Sequence, residues 1–159
     1  MFTPIFFIDL DSPARLPSGM FSSSVLQIHR GSGIVELCRR GNVLLLNGKP
    51  LNLFYSLRQK KHKSLSGREL RHELENRGNN VGAKVLDCLE DNSALCPDNW
   101  KRDDDGNTPY FHFWDDIFLD MNRLPCVRFG RWSDGRVVSD CSLLDGPWRF
   151  NSAVSSARK

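Results

Sequence analysis

His112, Asp116, Arg128 and Asp140 are the residues of this 159-residue chain whose types could do acid–base chemistry together. An imidazole beside a carboxylate takes up and returns a proton near neutral pH, a guanidinium holds an anion, and a neighbouring Trp114 offers a face for a base or a sugar. Read at period two, residues 110–120 place Tyr110, His112, Trp114, Asp116 and Phe118 on one side of a strand. Phe111, Phe113, Ile117 and Leu119 fall on the other, interrupted by Asp115. That parity is the basis for a hydrolase-like enzyme using His112 with Asp116 or Asp140. The plainer reading pairs Arg128 with Asp140 across two strands and tucks His112 partly under a helix, and it outweighs the catalytic one.

Other chemistry finds less support. Asp115 and Asp116 lack an identifiable third ligand, so no metal site is expected. Aligning Gly106 with the glycine of a calcium loop puts Lys101 at the first position and His112 at the last, where oxygen ligands are required, so residues 103–107 read as a solvated turn. Five cysteines (Cys38, Cys88, Cys96, Cys126 and Cys141) contain no Cys-x-x-Cys, and buried free thiols are the expectation. Gly-rich phosphate loops, Gly-x-Ser-x-Gly elbows and His-Glu-x-x-His are absent. No cofactor is expected, and the balance leans away from an enzyme.

Charge is segregated along the chain, whose net value is only +3. Residues 1–57 sum to +2, 58–84 to +5, 85–122 to −8 and 123–159 to +4. The basic block, with Arg58, Lys60, Lys61, His62, Lys63, Arg68 and Arg71, could neutralise phosphates of RNA or DNA. A helix-turn-helix reading of 66–92 is disfavoured, because Asp87, Glu90 and Asp91 outnumber Lys84 on the second helix, which would have to face a polyanion. A charge match within the chain, or a solvated face, serves as well.

The elements that would position these residues can be read locally. Residues 110–120, 125–132 and 136–144 form three consecutive strands, rich in aromatic and β-branched side chains. For the last two, a three-residue Ser133-Asp134-Gly135 loop pairs Phe129 with Ser139 and Val127 with Cys141, gathering apolar residues on one half-buried face. A two-residue Asp134-Gly135 loop would set Phe129 opposite Asp140, and is rejected for mixing apolar and charged residues. The chosen register brings Arg128 opposite Asp140.

Upstream, Asn47-Gly48 marks a hairpin between short strands within 33–55. Ser66 and Glu69 form a capping box with Leu65 and Leu70 at the staple positions, Leu70 and Leu74 give a stripe, and Gly78 ends the helix over 67–77. Asn79 or Asn80 is expected to cap a second helix carrying Val81, Val85, Cys88 and Leu89 inward. Residues 1–30 show no sustained period, though 25–28 could be a short strand, and after Trp148 the chain thins to a tail.

The fold expected is α+β: an antiparallel sheet, made of the C-terminal three-strand meander and the N-terminal hairpin, packed with a helical pair. Residues 1–30 form an irregular or mobile segment, 31–149 one domain and 150–159 a flexible tail. Its core is expected to take in Leu44, Leu46, Leu53, Leu70, Leu74, Val81, Val85, Leu89, Phe111, Phe113, Ile117, Val127, Phe129, Val137 and Leu143. The apolar run 2–8 is broken by Pro4, lacks a basic flank and is too short to span a bilayer, so a cytoplasmic protein without a membrane partner is expected.

Leu65-Ser66-Gly67-Arg68-Glu69-Leu70, Val85-Leu86-Asp87, Pro97-Asp98-Asn99-Trp100-Lys101, Phe113-Trp114, Val127-Arg128 and Arg131-Trp132 recur in order across 43–148. Together they resemble a group of uncharacterised small bacterial proteins in which a Pro-x-x-Trp-Lys motif precedes a Phe-Trp strand and a Val-Arg strand. Asp115-Asp116 departs from the Gly-Thr that such proteins carry after Phe-Trp. The resemblance implies a shared single domain and no activity. The leading expectation is a small cytosolic, non-catalytic binding or interaction protein with a protein partner. Nucleic-acid binding through 58–71 is the first alternative and the hydrolase the second.

Overall fold

The computed structural model describes residues 4–17, 25–27, 31–61, 63, 65–148 and 151–156, the side chains of 25–27, 147, 151–153 and 156 excepted. His62, named above with the basic segment, lies outside the described residues. In chain order the strands and helices are β1 (Ile5–Asp9), β2 (Val25–Gln27), β3 (Ile34–Arg40), β4 (Val43–Leu46), β5 (Lys49–Phe54), α1 (Leu57–Lys60), β6 (Leu65–Ser66), α2 (Gly67–Arg77) and α3 (Ala83–Asp91). A 3₁₀ turn at Ser93–Leu95 leads to α4 (Asp98–Lys101), and then come β7 (Tyr110–His112), β8 (Ile117–Leu119), β9 (Pro125–Ser133), β10 (Arg136–Leu143), β11 (Pro147–Trp148) and β12 (Asn151–Ser156). The class is α+β, as expected. No helix among the described residues is long and apolar enough to cross a membrane.

Strong local signals give the elements they announced. Asn47 and Gly48 both take positive φ (49° and 76°), which closes the two-residue turn between β4 and β5. Ser66 and Glu69 form the complete capping box, and Gly78 ends α2 in the left-handed region. A second capping box, from Ser56 and Gln59, starts the single turn of α1. The cap of α3 differs from the expectation. Gly82 occupies it in place of Asn79 or Asn80, and no side chain of its own closes it.

The main sheet runs β1-β3-β4-β5-β12-β7-β9, with β8 continuing along the same side of β9 as β7, β2 beyond β8, and β10 on the other side of β9. It has two cores. On one face Leu37, Leu44, Leu51, Phe111, Phe113, Val137 and Val154 pack around Val85, Leu86 and Leu89 of α3 and Trp100 of α4. On the other, Leu70 and Leu74 of α2 meet Trp114, Ile117, Val127, Leu144 and Trp148. Each such side chain contributes about 1.5–3 kcal/mol on burial. The two helices therefore straddle the sheet and do not form a hairpin against one face. The geometry of a helix-turn-helix is lost with it.

Four expectations are corrected here. First, β1 pairs with β3 in unbroken antiparallel register, so residues 5–9 are a strand of the sheet and not an irregular stretch. Second, β12 lies between β5 and β7 with Val154 fully buried, so residues 151–156 are part of the sheet and not a tail. Third, the strand expected over 110–120 is interrupted. His112 pairs with Phe129 and Phe118 with Cys126, so six residues advance on one side against three on the other. The excess bulges out at Trp114, Asp115 and Asp116, which breaks the period-two parity.

The fourth correction concerns the hairpin register. Asp134 and Gly135 both have positive φ (51° and 79°) and form a two-residue turn, so Ser133 pairs with Arg136, Phe129 with Asp140 and Arg128 with Cys141. The rejected register is the real one. Mixing apolar and charged residues would be costly on a strand with one solvated face, whereas β9 is covered on both. Leu144 accordingly takes the buried place expected of Leu143, which is exposed.

Candidate functional site

The bulge disperses the acid–base group. Asp116 turns towards the start of α3, where its Oδ2 accepts the Ala83 N–H at 2.6 Å and supplies the cap that Gly82 lacks. A carboxylate there also meets the positive end of the helix dipole. His112 is fully buried. Its Nε2 and Ser142 Oγ share a hydrogen bond at 3.0 Å, Nδ1 lies 3.3 Å from the Tyr110 carbonyl oxygen, and the ring packs between Phe129 and Trp148. These neighbours are uncharged. Asp140 is exposed and accepts the Cys141 N–H at 2.7 Å. The cavity that Asp140 lines with Arg15, Arg128 and Cys141 takes in neither His112 nor Asp116. The common outer face expected for His112, Asp116, Arg128 and Asp140 does not form.

Arg128 pairs elsewhere than expected. Its guanidinium donates to Asp87 Oδ1 at 2.7 Å, Glu90 Oε1 at 2.9 Å and the Arg15 carbonyl at 3.0 Å. Asp87 Oδ2 accepts the Arg15 N–H at 2.8 Å, and the Arg15 side chain reaches Asp91. Arg128 and Asp87 are both buried, so both their charges and their hydrogen-bonding capacity are met inside the protein. This network fastens α3 to β9 and draws residues 12–17 over their junction.

The basic segment is partly neutralised. Arg58 pairs with Glu69, Arg68 Nε with Asp145 at 2.8 Å and Arg71 Nε with Glu75 at 3.1 Å. The Ser66 backbone amide, and after it the Arg58 side chain, hold the Glu69 carboxyl below its ordinary range. Lys60, Lys61 and Lys63 are exposed, with no ion pair among the described residues. Of the six cations named from sequence, the structure leaves these three to solvent.

Two smaller features complete the inventory of chemistry. Asp103 Oδ1 accepts the Asp105 and Asn107 N–H groups at 3.0 and 2.8 Å, which makes 103–107 the polar turn expected, beside Tyr55 and a cavity of about 580 Å³. Among the thiols, Cys88 is half-buried and not in the core as expected, and burial pushes Cys96 up to about 12. Cys126 and Cys141 share a hydrogen bond that holds the first below its ordinary value and the second above it.

A further surface was not found from sequence. β1 lies at one end of the sheet with no described strand on its other side, and a groove of about 400 Å³ separates it from α3. The outer face beside it carries exposed apolar side chains among the charges of Asp9 and Glu36: Phe7 is 68% exposed and Ile34 69%, and a row of Ile5, Cys38, Leu45 and Pro50 runs directly across four strands. The signal was the apolar run 2–8 itself. Its side chains alternate between the core (Phe6 and Ile8) and solvent (Ile5 and Phe7), so hydrophobicity without periodicity concealed a strand.

Compared with models of known families, with curated proteins and with solved structures, the chain matches none.

Proposed function

We propose that this chain is a small cytosolic, non-catalytic binding protein whose working surface is the β1 side of the sheet. The observation that carries the reading is the exposure of Ile5, Phe7 and Ile34 together on β1 and β3, at a sheet edge that no described strand pairs. Single exposed apolar residues are ordinary, whereas a contiguous group at an open edge invites association unless a partner covers it. The side chains nominated for catalysis support the same reading, since Asp116 caps a helix and His112 sits among aromatic rings. The residues that carry the resemblance to small bacterial proteins are mostly buried, Trp100, Phe113, Trp114, Val127 and Arg128 among them. On this reading such proteins share a fold with this chain and vary at the surface.

The test is site-specific photo-crosslinking in the cell of origin, with a benzophenone amino acid replacing Phe7 and, as control, Arg136 on the opposite end of the sheet. A discrete protein adduct at position 7 and none at 136 is expected. Absence of any adduct at 7, or a measured turnover that survives in a Phe7→Glu variant and fails in His112→Ala, overturns the reading.

Nucleic-acid binding is the second reading. It is favoured by Lys60, Lys61 and Lys63 standing together without carboxylate partners among the described residues. It needs only phosphate contacts.

A further inference from the structure

We propose that the groove between β1 and α3 takes an extended, basic and apolar segment of a partner protein as an added strand alongside β1. This rests on the binding reading above and names the occupant.

The free edge follows from hydrogen-bond parity. Leu10 N–H donates to the Gly33 carbonyl at 2.8 Å, so Leu10, Ile8 and Phe6 turn their backbone groups towards β3. Ile5, Phe7 and Asp9 then turn theirs towards the groove. The Asp9 carbonyl takes the Ser12 N–H at 3.3 Å, which leaves Phe7 as the central donor and acceptor on offer. A peptide strand supplies both complements.

The β10 edge, by contrast, is partly occupied by side chains. Along β10 the backbone groups facing away from β9 belong to Val137, Ser139, Cys141 and Leu143. Val137 N–H donates to Ser93 Oγ at 2.9 Å, Cys141 N–H to Asp140 Oδ1 at 2.7 Å, and the Leu143 carbonyl accepts Trp148 Nε1 at 3.3 Å. Proteins commonly blunt an edge in such ways, or with lysine, proline or a bulge. Within β1 there is no lysine, no proline and no register shift.

The chemistry of the walls selects the occupant. Phe6, Phe7 and Ile8 on the strand side and Cys88 on the helix side favour apolar side chains. Asp9 on one wall, which accepts the Asp11 N–H and the Ser12 hydroxyl at 3.0 Å each, and Asp91 on the other are exposed carboxylates; among the described residues Asp91 is ion-paired with the exposed Arg15, a pair worth little in water. Asp87 is already satisfied by Arg128. Lys84, one turn earlier on α3, is the groove's other cation, so the basic residue of the partner belongs at the Asp91 end. A second copy fits less well, because pairing β1 with β1 about Phe7 sets each Asp9 against the other chain's Ile5.

The experiment is selection of random twelve-residue peptides displayed on phage against the full-length protein, followed by binding measurements on synthetic peptides. Enriched sequences that alternate apolar residues and contain Lys or Arg are expected. N-methylation at successive peptide amides should weaken binding at least tenfold at every second position and leave the rest unchanged, as a strand paired along one edge requires. Asp91→Asn should weaken it about twofold to fivefold. Equal tolerance of N-methylation at both parities overturns strand addition and leaves the binding reading standing. Enrichment of acidic peptides overturns the assigned chemistry. Sedimentation as a dimer with β1-to-β1 crosslinks makes a second copy the occupant and overturns the proposal. Failure to select any peptide, with no adduct at position 7, removes the binding reading itself.

Discussion

The Arg128 guanidinium and the Asp87 carboxylate meet at 2.7 Å between β9 and α3, and both are buried. Local reasoning pairs Arg128 with Asp140 and gives Asp87 no partner. Their pairing puts an ionic clamp under the N-terminal segment, since Asp87 also holds the Arg15 amide and Arg128 the Arg15 carbonyl.

Removing one partner of that clamp leaves a buried charge without its complement. Arg128→Ala and Asp87→Ala should each lower unfolding free energy by about 3–5 kcal/mol, read by urea denaturation. Replacing both with apolar residues of similar volume should cost less than the sum of the two. Amide exchange at residues 10–15 should accelerate in either single variant, because the segment loses its anchor. A loss below about 1 kcal/mol would mean that water has access to the pair.

Gly130 lies where β9 passes under α3. A Cβ there would come 2.3 Å from Phe111 Cε2 and 2.8 Å from Leu86 Cδ1. Gly130→Ala should therefore destabilise by about 1–3 kcal/mol through overpacking. Phe111→Leu in the same chain should recover part of the loss. A neutral Gly130→Ala, measured by thermal unfolding, would contradict the close packing of α3 on the sheet.

Cys96 gives a pH dependence with a definite sign. Burial pushes its thiol up from 9.0 to about 12, so the native state keeps the proton that the unfolded chain releases first. Stability is unaffected below about pH 9, the ordinary value, and falls as pH rises between that and about 12. The slope there is at most about 1.4 kcal/mol per pH unit from this group. Cys96→Ala should remove that slope in alkaline denaturation curves, and Cys96 should resist alkylation at pH 8 until the protein unfolds.

Three lysines with no ion pair among the described residues make a quantitative prediction for the second functional reading. If Lys60, Lys61 and Lys63 contact phosphates, the wild-type protein shifts single- or double-stranded nucleic acid at low salt. Mutating all three to Ala then flattens the slope of log K against log salt by about 2–3. Arg68→Ala should change it less, because Arg68 already faces Asp145. No shift at low salt would retire that reading.

Legibility followed the range over which each feature is decided. The boundaries of α2, its capping box and its terminating glycine were readable, as was the Asn47-Gly48 turn, because each depends on residues within four positions of one another. The buried places of Leu44, Leu70, Leu74, Val85, Leu89 and Phe111 were also legible from periodicity. The register of β9 against β10 was not. Its turn residues spoke for a two-residue loop, and a mistaken premise about which faces are wet overruled them.

By itself the sequence determined local conformation: caps, turns, the apolar stripes and the α+β class, all governed by short-range sterics and hydrogen bonding. Only the tertiary structure decided which elements share a sheet, that β1 and β12 join it, that the bulge sends Asp116 to a helix end and that Arg128 meets Asp87. These depend on contacts between residues tens of positions apart. A strand carries no local mark of its partner, and one residue of slip or bulge moves every following side chain to the other face.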